Sequence, residues 1–149
     1  MELILWRHAQ AEDPLPDQDD LARALTGKGR KQAKAMARWL HARLPADTRI
    51  LVSPALRTRQ TADALELPYT VVPALAPDAA PAALLHAAGW PAHPEPVLIV
   101  GHQPTLGLLA ARLLCGREQP WSVKKGAVWW LRAESNGASL VSALSAEQL

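Results

Sequence analysis

The chain has 149 residues, 49% of them hydrophobic, with a formal net charge of +2. That length predicts a single domain over residues 1–149, able to bury roughly 70% of its unfolded surface. The small charge excess argues against a nucleic-acid partner, no apolar run reaches membrane-spanning length, and the lone Cys115 excludes an intrachain disulfide.

In chain order, Leu3–Trp6 is a short apolar run that reads as a buried strand. It is too short for the apolar region of a signal peptide, and no basic stretch precedes it, so a cytoplasmic protein is expected. A polar loop rich in Asp and Pro follows from Ala11 to Ala24. Thr26 is placed to cap a helix running to about Leu44, where Pro45 stops it. On that helix Ala33, Met36, Ala37, Leu40 and Leu44 form an apolar stripe, leaving Lys28, Arg30, Lys31, Lys34 and Arg38 as a solvated face.

Arg49–Ser53 reads as a second strand, Ala55–Leu65 as a helix, and Tyr69–Val72 as a third strand. The stretch Pro73–Pro96 carries six prolines and many alanines, and predicts loop, a short helix near Ala82–Ala88, then loop again, with mobility expected. Val97–Val100 is apolar without alternation, the pattern of a strand buried on both faces. Pro104 suits the first turn of the next helix, whose buried stripe is Leu106, Leu109 and Leu113. Ala127–Arg132 and Ser139–Leu144 flank the turn Ser135-Asn136-Gly137, a hairpin signal. Trp129 and Trp130 on that hairpin should point one ring inward and one outward. The alternation predicts an α/β fold, a three-layer α/β/α sandwich around a mostly parallel sheet with an antiparallel C-terminal hairpin at its edge.

Three fragments stand at predicted strand ends: Arg7-His8-Ala9, the run Ser53-Pro54 through Arg57 to Gln60-Thr61-Ala62, and Gly101-His102-Gln103-Pro104. In a parallel sheet such ends share one crevice. Two guanidinium groups, two imidazoles and helix N-termini would converge there, a setting selective for phosphate. With Arg23-Ala24-Leu25-Thr26 and Gly29, these motifs make the chain similar to the histidine phosphatase superfamily, the phosphoglycerate-mutase-like proteins, and within it to the short SixA-type branch of phosphohistidine phosphatases. The resemblance covers essentially the whole chain. It implies that His8 is the nucleophile, phosphorylated on its ring, and that Arg7, Arg57 and His102 hold the phosphoryl oxygens. Neither cofactor nor metal is implied, since guanidinium groups can neutralise the transferred charge.

Ala9 stands where the family's common pattern has Gly. Its larger members supply a Glu or Asp general acid from an insertion this chain lacks. Of Asp63, Glu66, Asp78 and Glu95, only Asp78, in the loop after the third strand, suits that role, and a helix cap before Ala79–Pro81 is an equal alternative. Asp17, Asp19 and Asp20 resemble a calcium loop, but Ala22 and Lys28 stand where that loop needs Gly and Glu. His41, His86 and His93 lack ligand spacing and read as surface residues. The expected activity is hydrolysis of protein phosphohistidine by a monomeric enzyme. The alternatives are a phosphatase for a small phosphorylated metabolite, or a phosphate-binding module without catalysis.

Overall fold

The structure, a computed structural model, describes residues 1–149. Its strands are β1 (Glu2–Arg7), β2 (Arg49–Val52), β3 (Thr70–Val71), β4 (Val97–Gly101), β5 (Val128–Glu134) and β6 (Gly137–Leu144). Its helices are α1 (Gly27–His41), α2 (Leu56–Asp63), α3 (Pro81–Ala88) and α4 (Thr105–Cys115), with 3₁₀ turns at Asp20–Ala22, Pro73–Leu75 and Ala146–Gln148. The six strands form one sheet in the order β3-β2-β4-β1-β5-β6. The first four run parallel, while β5 is antiparallel to both β1 and β6. This is the expected α/β/α sandwich with its antiparallel hairpin at the edge. No helix is long and apolar enough to cross a membrane.

Alternation along the central strands assigns each side chain to one of two cores. Leu3, Leu5, Val97 and Ile99 pack with Leu84 of α3 and with Leu106, Leu109 and Leu113 of α4. Ile4, Trp6, Leu98 and Val100 pack on the other face with Met36, Ala37 and Leu40 of α1 and Ala62 of α2. Both faces of β1 and β4 are covered, which is why their sequences are uninterrupted apolar runs. Trp129 and Trp130 follow the same rule, so the inward–outward expectation is corrected. Trp130 packs edge-on to Trp39 of α1, and Trp129 lies beside Trp121 on the opposite face. Trp130 is buried and Trp129 half-buried, because the sheet has a layer on each side.

The helices end earlier than their patterns suggest. After α1, Arg43 N–H bonds the Leu40 carbonyl; after α2, Leu65 and Glu66 bond the carbonyls three residues back. The tighter turns carry Leu65 onto the core, while Leu44 N–H still bonds the Leu40 carbonyl four residues back at 2.7 Å and its side chain packs at the core margin. The Pro73–Pro96 segment is also better packed than its composition implies: Leu75, Leu84 and Ala88 are buried in the α3–α4 core.

Register sets the functional edge. Arg7 lies opposite Gly101, and Val52 opposite Val100, so β1, β4 and β2 end nearly level. Close packing beside that edge depends on Gly29. A Cβ there would overlap the Gln10 carbonyl, whereas one at Gly27 meets nothing. Gly29→Ala should therefore lose about 2 kcal/mol or more despite alanine's better helix propensity, while Gly27→Ala should be neutral or gain up to about 1 kcal/mol. Urea unfolding of the two variants checks this, and equal effects would contradict the packing argument.

Candidate active site

The backbone of Arg7 and His8 is fixed from both sides. His8 N–H donates to the Gly101 carbonyl at 3.1 Å, and Gly126 N–H bonds the Arg7 and His8 carbonyls at 3.1 and 3.0 Å. Gly126, at φ 76°, takes the left-handed conformation that glycine adopts without strain, and its carbonyl accepts from Trp6 Nε1 at 3.1 Å. The His8 ring is only 7% exposed and has Nδ1 2.7 Å from the Ala9 carbonyl. A carbonyl can only accept, so Nδ1 carries the proton and Nε2 keeps a free lone pair. Ala9 needs no positive φ and is wholly buried beside Leu25 and Ala33. Its N–H donates to Thr61 Oγ1 at 3.1 Å.

Ser53, just past β2, and α2 set the second side. Thr58 Oγ1 donates to the Ser53 and Ala55 carbonyls, and Thr61 Oγ1 to the Arg57 carbonyl, anchoring the turn that carries Arg57. His102, following β4, has Nε2 2.7 Å from Ser53 Oγ, and that oxygen also accepts from Ala55 N–H at 3.3 Å. His102 Nδ1 is buried with no protein partner, and in the tautomer where Ser53 donates to Nε2 it carries the ring's proton. Such an N–H can serve a phosphoryl oxygen. The His8 and His102 ring centroids are 5.4 Å apart, and Arg7 Nη1 is steadied by the Val123 carbonyl at 2.9 Å.

All four core residues expected from the sequence, Arg7, His8, Arg57 and His102, thus line one cleft of about 470 Å³. Asp78 lies on its wall but is exposed and makes no ion pair. It does not cap α3, whose N-cap is Ala80. Three further residues were not assigned from sequence: Arg23, Asp20 and Lys125 also line the cleft. Asp20 bonds both Arg23 and Arg57. Arg23 sits in the quoted Arg-Ala-Leu-Thr segment, but no periodicity links it to the strand ends. Lys125 reaches the site only because the chain returns across β1 before β5. His41 and His86 are exposed and His93 half-buried, all away from the cleft lining.

Burial is the largest influence on both imidazoles, disfavouring their charged forms. His8 is held down to about 4, with Arg57, Arg7 and Arg23 lowering it further against the opposing hydrogen bond to Ala9. His102 is held down to about 3 by burial, then by His8 and Arg57, with Asp20 opposing. Arg7 is lowered from its ordinary value by burial and by Arg57. Both rings are therefore neutral at physiological pH. In the unfolded chain they would titrate near 6.5, so between that pH and their folded values only the unfolded chain takes up the protons. Stability should be complete above pH 6.5 and fall as pH drops toward 4, by up to about 1.4 kcal/mol per pH unit for each ring. Imidazole nitrogen NMR should show His8 as the neutral Nδ1–H form from pH 8 to 5. A ring titrating near 6.5 would contradict this.

The family profile described as Histidine phosphatase superfamily (branch 1) matches residues 3–76. The phosphohistidine phosphatase SixA of Escherichia coli K12 is 34% identical over 128 residues, covering 80% of this chain and 78% of that protein. The structure of the protein histidine phosphatase SixA complexed with tungstate superposes with a TM-score of 0.79 at 27% identity, covering 99% of each chain. The α-ribazole phosphatase of Shigella flexneri shares the fold, with a TM-score of 0.70 at 21% identity over 98% of this chain and 97% of that one. Convergent strand-end residues, sheet topology and sequence likeness agree, and they support phosphatase activity. The chain belongs to the histidine phosphatase superfamily, in its SixA-type branch.

Proposed function

We propose that the protein is a metal-independent phosphatase acting through a phosphorylated His8, and that its substrate is phosphohistidine displayed on another protein. One observation carries the mechanism: a neutral His8, its proton directed to the Ala9 carbonyl, leaves Nε2 unprotonated in a cleft walled by three guanidinium groups. In the first step Nε2 attacks phosphorus as the bond to the leaving group breaks. Arg7, Arg57 and the Nδ1–H of His102 hold the phosphoryl oxygens. Water then attacks the phosphorus of the phosphorylated His8, the P–N bond to Nε2 breaks, and inorganic phosphate leaves with the water's oxygen, the surplus proton passing to phosphate or solvent, while His8 returns to its neutral form. The guanidinium groups provide the charge neutralisation that phosphoryl transfer needs.

The substrate reading rests on the leaving group and on the cleft mouth. Phosphohistidine can be protonated on its own ring before the P–N bond breaks, so imidazole departs neutral without an acid from the enzyme. Asp13, Asp78 and Lys125 at the rim are exposed, which sets the mouth at the protein surface where a side chain on a partner can enter. A small phosphoester remains the second reading, favoured by Asp78, which could protonate an alkoxide. The fold is also shared with an α-ribazole phosphatase.

Rapid quench with labelled substrate should trap an acid-labile, base-stable phosphoprotein that His8→Ala cannot form, with turnover reduced by at least about a thousandfold. Chelator should leave activity intact. Full activity in His8→Ala would refute the covalent mechanism. On a nitrophenyl phosphate, Arg57→Ala should cost about 10²–10³ in kcat and Asp78→Ala less than about tenfold, because that leaving group needs no proton. The substrate itself is tested by kcat/KM for a phosphohistidine carrier protein against sugar and nucleotide monophosphates. A metabolite preferred by about a hundredfold, that is about 2.7 kcal/mol in transition-state binding, would overturn the phosphohistidine assignment and leave the His8 mechanism standing.

A further inference from the structure

Asp20, on the 3₁₀ turn Asp20–Ala22, is bonded to the arginines more fully than any other acidic residue of the cleft. Its backbone carbonyl accepts from Arg57 Nη1 at 2.8 Å, and its Oδ2 accepts from Arg57 Nη2 at 3.0 Å. Its Oδ1 accepts from Arg23 Nε at 2.9 Å. The turn beneath it is fixed, since the Asp19 carboxylate accepts from Leu21 N–H at 3.0 Å and Arg23 Nη1 donates to the Glu12 carbonyl at 2.8 Å. The burial of the pair is lopsided: the Arg57 side chain is 4% exposed and that of Asp20 is 51%. Asp20 thus covers Arg57 on the solvent side and engages both terminal nitrogens of its fork.

A guanidinium presents the same paired donors to a carboxylate as to a phosphoryl group. The oxygens of Asp20 therefore take up donors that phosphoryl oxygens would use. We propose that Asp20 is an internal stand-in for the phosphoryl group: it occupies Arg57 and Arg23 in the unliganded protein, yields at least one end of the Arg57 fork when a phosphoryl group binds, and so limits the affinity of the cleft for anions. This rests on the phosphatase reading of the site. Between turnovers the single carboxylate offsets one of the two guanidinium charges it bonds, and on its return it helps expel inorganic phosphate, a product that the arginines without it would retain. A plain supporting role for Asp20 makes the opposite forecast, because loss of a strut behind Arg57 weakens anion binding.

The test is calorimetric binding of inorganic phosphate at fixed ionic strength to the wild type, Asp20→Asn, Asp20→Ser and Asp13→Asn. Asp13 also lines the cleft but bonds neither Arg23 nor Arg57, so its variant reports the general effect of removing one negative charge. Asp20→Asn should bind phosphate about fivefold tighter or better, Asp20→Ser should follow it, and Asp13→Asn should change less than about twofold. Thermal melts establish which variants are folded, and either folded Asp20 variant suffices. Unchanged or weaker binding in a folded Asp20 variant overturns the stand-in role, as does an equal gain in Asp13→Asn. Failure of phosphate to bind the wild type and every variant would overturn the phosphate site itself, and this inference with it.

Discussion

The gathering of Arg7, Arg23 and Arg57 into one partly buried cleft is the constraint around which this end of the molecule is organised. Burial first, and the charge of Arg57 second, lower the proton affinity of Arg7 from its ordinary value. Each is held by acceptors that leave it charged: the Val123 carbonyl for Arg7, the Glu12 carbonyl for Arg23, and Asp20 for both Arg23 and Arg57. Burial alone would raise the Asp20 carboxyl, but hydrogen bonds from Arg23 and Arg57 and their charges win and hold it below its ordinary range. The two imidazoles remain neutral for the complementary reason, since a further positive charge there would have burial and the arginines against it.

Much of this architecture was legible in the residues because β1 and β4 are buried on both faces. Continuous apolar runs such as Leu3–Trp6 and Val97–Val100 have few alternative readings, and the Arg-His and Gly-His pairs that follow them fall at strand ends by chain order alone. The hidden parts depend on chain return. The Val123–Gly126 segment contacts Arg7 and His8 across more than a hundred residues of sequence, with no local signal announcing it. Asp20 was submerged in an Asp-rich loop whose only recognisable pattern, a calcium loop, fails at Ala22 and Lys28. The Pro- and Ala-rich stretch misled in the other direction. Its composition suggests mobility, yet Leu75, Leu84 and Ala88 are spaced so that a 3₁₀ turn and a short helix bury all three.

Ala9 shows how a departure from the common family pattern is accommodated. The position needs a small side chain, since it packs beside Leu25 and Ala33 with no exposed surface. It does not need glycine's freedom, since its φ is not positive. The backbone N–H of Ala9 is also committed to Thr61, which in turn bonds the Arg57 carbonyl. The loop after His8 and the helix carrying Arg57 are therefore linked through one hydroxyl.

His8 is rooted at the end of the central strand, hydrogen-bonded to β4 and to the returning segment at Gly126. Such a residue shares the protection of the global core, and little short of whole-molecule unfolding would move its backbone. The cleft walls have a different origin. Asp13, Asp20 and Arg23 come from one loop, Pro77 and Asp78 from a second, and Lys125 from a third. The strand end roots His8 in the core, while exposed side chains such as Asp13 and Asp78 line the cleft from loops that make no hydrogen bond to His8.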